Sequence, residues 1–148
     1  MGSLSGVSLD DFTYVWIPFL VGFVPLFFLR WKLNLLTLDE DEARTMGVNT
    51  RRLRAVAIFS STLLVAASVA VSGVIGWVGL VIPHMARKAV GSDCRVLLPA
   101  SALLGGSFLL LVDDLARTLY TTELPLGILT AVIGAPFFLY LLSRKKGW

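Results

Sequence analysis

The chain has 148 residues, of which 56% are hydrophobic and 16% charged, and its mean hydropathy is +0.80. That composition lies outside the usual range of soluble globular domains. The net charge of +3 does not point to nucleic acid, because the basic residues flank long apolar runs, as membrane topology requires. One cysteine, Cys94, excludes an internal disulfide and a cysteine-only metal cluster, and it reads as an incidental thiol.

Residues 1–11 carry no positive n-region and include Asp10 and Asp11, so they do not read as a signal peptide. From Phe12 to Leu29 no residue is charged. A bilayer's hydrocarbon core is about 30 Å thick and takes roughly 20 helical residues to cross. Only helices and closed barrels satisfy their backbone groups there, and no strand-like alternation is present, so a membrane helix is predicted. The connection Trp31 to Arg54 is the richest segment. It opens with the apolar stretch Leu33 to Leu38, and Thr37-Leu-Asp-Glu40 has capping-box spacing, a hydroxyl N-cap with Glu three residues on. Asp39, Glu40, Asp41 and Glu42 would then fill a first turn, where the helix dipole favours negative charge, and Gly47 offers a stop after Met46. A short cytoplasmic helix over about Leu38 to Met46 is predicted. It is either an amphipathic connector on the headgroups or a knob for a cytosolic partner, since an acidic face is not drawn to anionic lipid.

Ala55 to Ala86 is uncharged apart from the titratable His84. As one helix its 32 residues would reach about 48 Å, too long for one crossing. Gly73, Gly76, Gly79 and Pro83 divide it into a full span, about Ala55 to Ser72, and a short broken one, about Trp77 to Lys88. Short interrupted segments recur in transporter pathways, although Gly and Pro are also simply common in membrane helices. His84 has no Cys or carboxylate at ligand spacing, so no metal site is expected; a hydrogen bond to a carbonyl freed by Pro83 is. Val96 to Val112 is the next run, followed by Asp113, Asp114 and Arg117. Asp113 and Arg117 are four apart and share a helix face, either as a structural pair or to offer positive charge outward. Leu124 to Ser143 is the last run. The small-xxx-small pairs Ala66/Ala70, Ser101/Gly105 and Ala131/Ala135 predict close helix packing.

Basic and non-basic connections alternate strictly. Arg30, Lys32, Arg44, Arg51, Arg52 and Arg54 lie in the first, Arg87, Lys88 and Arg95 in the third, and Arg144, Lys145 and Lys146 in the tail, whereas the second is uncharged and the fourth holds only Glu123. The positive-inside rule then places the N-terminus outside and the C-terminus inside the cell membrane, with five crossings. The predicted fold is an all-α polytopic transmembrane bundle of about five membrane segments, one of them short and broken, plus a short cytoplasmic helix. No Walker A loop, nucleophile–base pair or dinucleotide fingerprint is present, so no catalytic residue, bound cofactor or ATP hydrolysis is expected of this chain.

Several segments occur together in one order: Met1-Gly-Ser-Leu-Ser-Gly6; Leu33-Asn-Leu-Leu-Thr-Leu38 with Glu42-Ala-Arg-Thr-Met-Gly47; Gly76-Trp-Val-Gly-Leu-Val-Ile-Pro-His84; Arg95-Val-Leu-Leu-Pro99; Asp113 to Arg117; and Glu123-Leu-Pro-Leu-Gly127 through Gly134-Ala-Pro136. In these the chain resembles the permease subunits of ABC importers for ferric siderophores, haem and cobalamin. The resemblance covers essentially all of residues 1–148, read as one transmembrane domain equivalent to helices six to ten of a ten-helix permease.

The resemblance implies a membrane subunit that works as a permease dimer or with a partner half-permease. A cytosolic ATPase that carries ATP and Mg would sit below it, and an extracytoplasmic substrate-binding protein above. Within the loop 31–54, Leu38, Asp39, Glu40, Glu42, Ala43, Arg44 and Gly47 correspond to the coupling segment that inserts into the ATPase. Arg117 matches an arginine that faces acidic residues of the binding protein. The last helix, with Gly127, Thr130, Ala131 and Gly134, lines the translocation path. Two features depart from the pattern, the run Asp39 to Glu42, which implies an unusually basic ATPase groove, and Asp114 in place of an apolar residue. The other half is expected on a longer reading frame in which Met1 is internal, unless the gene product is truncated; a half alone is expected to be inactive. Competing readings are an ion-gradient-driven secondary transporter and a non-transporting membrane accessory protein.

Overall fold

A computed structural model describes residues 6–119 and 125–145. The start of the Gly2-to-Gly6 segment, Glu123 with most of its connection, and Lys146 lie outside the described residues. Among the described residues every regular element is helical: α1 (Leu9–Leu33), a 3-10 turn (Asn34–Thr37), α2 (Glu40–Thr45), α3 (Thr50–Ser72), α4 (Val78–Val90), α5 (Cys94–Leu119) and α6 (Leu126–Lys145). Four of them, α1, α3, α5 and α6, are long and apolar enough to cross a membrane. The fifth, α4, has 13 residues and reaches only about 20 Å. The short segment predicted over 77–88 is therefore real, but it is one continuous helix with Pro83 inside it.

Local chemistry sets the boundaries. Ser8 and Asp11 form a reciprocal capping box at the start of α1, the Asp11 N–H donating to Ser8 Oγ at 3.3 Å and the Ser8 N–H to Asp11 Oδ2 at 3.1 Å. Asn49 caps α3, its Oδ1 accepting the Arg52 N–H at 3.1 Å. Gly73 ends α3 with φ +70, and its N–H donates to the Val69 carbonyl at 2.9 Å.

The helices alternate in direction. Gly22 of α1 lies against Ser60 and Leu64 of α3, while Leu29 and Lys32 lie beside Arg52, Leu53 and Val56, so α1 and α3 are antiparallel. Ile82 of α4 faces Gly105 of α5, and Val78 and Val81 come together with Phe108, so this pair is antiparallel too. Val112 and Ala116 of α5 pack on Leu126 near the start of α6, with Ile75, Phe108 and Leu129 around them. The basic ends of α1, α3, α4 and α6 and the basic start of α5 therefore gather at one end of the bundle, where Arg30 of α1 meets Arg95 of α5. Arg117 lies at the opposite end.

The buried core is small and the outer surface is apolar: Phe28, Leu103, Leu110, Val132 and Leu139 are all more than 60% exposed. Apolar area on that scale is uncovered in water and covered in a bilayer. Of the small-residue pairs, Ser101/Gly105 sits at a helix contact, since a Cβ on Gly105 would lie 3.7 Å from Ile82. Ala66 and Ala70 instead face outward, and Ala67 is the buried residue of that turn, 7% exposed. The pattern alone left the facing side of α3 undetermined by one residue.

Candidate functional site

The segment that the resemblance assigns to coupling lies at the basic end, between α1 and α3. The Thr37 hydroxyl donates to the Asn34 carbonyl at 2.6 Å and closes the 3-10 turn, so it is not free to cap the next helix. The predicted capping box over Thr37 to Glu40 does not form. Leu38 and Asp39 are extended, Asp39 takes the N-cap position without a side-chain hydrogen bond, and α2 shrinks to six residues. Leu38, Asp39, Glu40, Glu42, Arg44 and Gly47 are all exposed. Ala43 is 0% exposed: it seats α2 against the 3-10 turn and α3. Glu40 pairs with Arg44 at 3.9 Å in the open. Gly47 has φ +73, and its N–H donates to the Arg44 carbonyl at 3.0 Å, so it closes α2 in a conformation that disfavours any Cβ. Beside this knob lies a cleft of about 380 Å³ bordered by Arg44, Asn49, Thr50 and Arg51. The result is a small acidic projection with a basic recess at its root.

A clasp ties this end of the bundle together. The Asn34 amide donates to Asp93 Oδ1 at 2.7 Å, and Asn34 Oδ1 accepts the Cys94 N–H at 2.8 Å. Asp93 also accepts the Arg95 N–H at 3.0 Å, which caps α5. The Asn34 amide, and after it the Arg95 N–H, hold the Asp93 carboxyl below its ordinary value. Arg95 lies over the Trp31 ring at 3.3 Å, and Arg30 donates to the Arg95 carbonyl at 3.4 Å. The sequence analysis anticipated neither the Asp93 cap nor its partner 59 positions away.

At the opposite end, Arg117 Nε meets Asp113 Oδ2 at 2.9 Å. The Asp113 side chain is 20% exposed and that of Arg117 is 65% exposed, so the pair leaves much of the guanidinium facing outward. Asp114 is exposed, and its carbonyl accepts from the Thr118 hydroxyl. On α6, Thr130 is 1% exposed and donates to the Leu126 and Gly127 carbonyls at 2.9 and 3.1 Å. Gly134 is buried against Trp77, while Gly127 and Ala131 are half-buried. His84 Nε2 is buried without a hydrogen-bond partner, contrary to expectation. The carbonyl freed by Pro83 belongs to Gly79, and His84 lies about 140° around the helix from it, out of reach.

Residues 1–144 match the FecCD transport family. The chain belongs to that family. Similar proteins include the "Probable iron chelatin transport system permease protein" of Helicobacter pylori, 46% identical over 99% of this chain and 45% of its own length. The molybdate import system permease protein MolB of Haemophilus influenzae is 47% identical over 99% of this chain and 43% of its own length. A solved structure described as "An inward-facing conformation of a putative metal-chelate type ABC transporter" superposes with a TM-score of 0.91 and 47% identity, covering 97% of this chain and 46% of that one. This FecCD chain thus spans less than half the length of the curated relatives it matches. Among its described residues no group of three or more His, Cys, Asp or Glu could hold a metal ion.

Proposed function

We propose that residues 1–148 form one transmembrane domain, the C-terminal half of the permease subunit of an ABC importer. Its cargo is an iron chelate such as a ferric siderophore, or a related metal chelate such as haem or cobalamin. The N-terminus faces out and the C-terminus in. A separate ATPase, which carries ATP and Mg, grips the knob from Leu38 to Gly47 within the loop 31–54. A substrate-binding protein docks near Arg117, and a second permease copy or partner half completes the path. The wall of that path is α6, with Gly127 and Ala131 toward the lumen and Thr130 and Gly134 shaping it through their packing on α4 and α5. Only ligands that bind two states unequally can drive such a switch, and ATP and the loaded binding protein fill that role.

The observation that carries this reading is the polarity of the bundle. Five alternating helices collect their basic ends and the acidic knob on one side and Arg117 on the other, as the positive-inside rule requires of an inward-facing coupling end. Charge reversal of Glu40 and Glu42 to Lys tests it in the full-length permease. The Glu40–Arg44 pair is exposed and contributes about 0–1 kcal/mol, so the fold survives. ATPase co-purification and substrate-stimulated ATP hydrolysis are expected to fall. In a Cys94→Ser background, a Thr45→Cys variant should react with a membrane-impermeant thiol reagent in inverted vesicles and stay unreactive in intact cells. Labelling in intact cells would invert the topology and remove the ATPase from this end.

A further inference from the structure

Trp77 opens α4 in a conformation that large residues avoid. Among the described residues it is the one non-glycine with positive φ, at 67°. It is the centre of a three-residue turn, the Val78 N–H donating to the Gly76 carbonyl at 2.8 Å, and its own carbonyl accepts the Leu80 and Val81 N–H groups at 3.0 and 2.9 Å. A bulky residue persists in the left-handed region only where its surroundings over-determine it. Here the surroundings are α6. A Cβ built on Gly134 would lie 2.8 Å from Trp77 Cγ, so the absence of a side chain at Gly134 is what seats the indole. The ring continues onto Phe138 at 5.5 Å. The gap left between Trp77, Val81, Phe108 and Thr130 has room for no more than about one water molecule. On either side of this seat the α6 backbone is weakened. Thr130 bonds back to the preceding turn, and Pro136 lacks the N–H that would meet the Val132 carbonyl.

We infer that Trp77 is a positioning residue for transport: a strained turn whose indole fixes α6 at Gly134 in this conformation and disengages when α6 moves. The inference rests on the reading of α6 as a wall of the path. A backbone-to-ring contact this close cannot be shifted by fractions of an ångström, so α6 either keeps the indole in place or expels it, and expulsion lets Trp77 relax. The seat thereby supplies two discrete arrangements of one element. The test uses the full-length permease with its ATPase and binding protein in proteoliposomes, and reads substrate moved per ATP hydrolysed alongside the unfolding midpoint. Trp77→Ala removes the ring and keeps the strain; Trp77→Gly removes both; Trp77→Phe keeps a ring. Transport per ATP should fall about tenfold in both Ala and Gly variants, whatever the order of their midpoints, and stay within about twofold in Trp77→Phe. Should the Trp77 variants fail to assemble, Gly134→Ala, which pushes the indole out from the other side, should show the same loss of coupling. A ratio unchanged in the Ala and Gly variants, or one that merely follows the midpoints, overturns the role. If the unmodified complex hydrolyses ATP without regard to substrate or binding protein, the importer reading itself fails, which is a separate result.

Discussion

Gly22 and Gly106 both lie inside membrane helices, yet the structure assigns opposite signs to their replacement by alanine. A Cβ on Gly22 would sit 2.9 Å from the Ser60 carbonyl oxygen and 2.9 Å from Leu64 Cγ; a Cβ on Gly106 meets nothing within 4 Å. The carbonyl is backbone and cannot swing aside, so α1 and α3 must separate until the carbon contacts return to about 3.5 Å or more. A gap of that order forfeits roughly a quarter to a half of each dispersion contact across the seam. For a half-buried leucine and its neighbours this amounts to about 1–2 kcal/mol, in line with the usual cost of overpacking. Alanine also gains up to about 1 kcal/mol over glycine in helix propensity, at both sites. Gly22→Ala should therefore come out destabilised by about 1 kcal/mol or less, Gly106→Ala neutral or stabilised, and the difference between them should approach about 2 kcal/mol. Reversible unfolding of the full-length permease in bicelles measures both. Equal stability for the two variants would refute the claim that α1 and α3 meet backbone to backbone at Gly22.

Two further outcomes follow from the ends of the bundle. Arg117→Glu should lower affinity for the substrate-binding protein, and the loss should grow as salt is reduced, because a longer Debye length exposes more of the partner's field; titration by surface plasmon resonance at several ionic strengths checks it, and salt-independent wild-type binding would remove Arg117 from the interface. Asn34→Ala should loosen the clasp and change its pH response. The folded Asp93 carboxyl is held below its ordinary value of 3.8, so its contribution is present above that value and disappears as the pH falls through the lower, folded one. Without Asn34 that displacement shrinks, and the acid-side drop in the unfolding midpoint below about pH 4 should be smaller than in the unmodified protein.

Much of the fold was legible in the chain because membrane helices satisfy their own hydrogen bonds and announce themselves by uncharged length. The uncharged runs starting at Phe12, Ala55, Val96 and Leu124 correspond to α1, α3, α5 and α6, and the short segment near Trp77 to α4. The Asp113–Arg117 pair followed from helical spacing alone. The segment from Leu38 to Gly47 was only half legible. Its acidic, exposed character was evident, but Thr37 had two uses for one hydroxyl, and the 3-10 turn took it. Ser8–Asp11 had comparable spacing and did form a box, the Ser8 hydroxyl donating to Asp11 Oδ2 at 2.9 Å rather than to a backbone carbonyl as Thr37 does. For His84, the angular offset from Gly79 rather than the presence of Pro83 decided the hydrogen bond.

Hydropathy and charge placement, which act through the surrounding solvent and therefore along the chain, determined the all-helical class, the number and rough limits of the membrane segments, and the side on which the basic residues collect. Contacts between residues distant in sequence were decided only by the packed bundle: Asn34 on Asp93, Gly22 on Ser60, and Trp77 seated on Gly134. Such contacts depend on which azimuth each helix presents to its neighbour. In a chain apolar on every side, periodicity cannot specify that azimuth, because lipid and protein accept the same side chains.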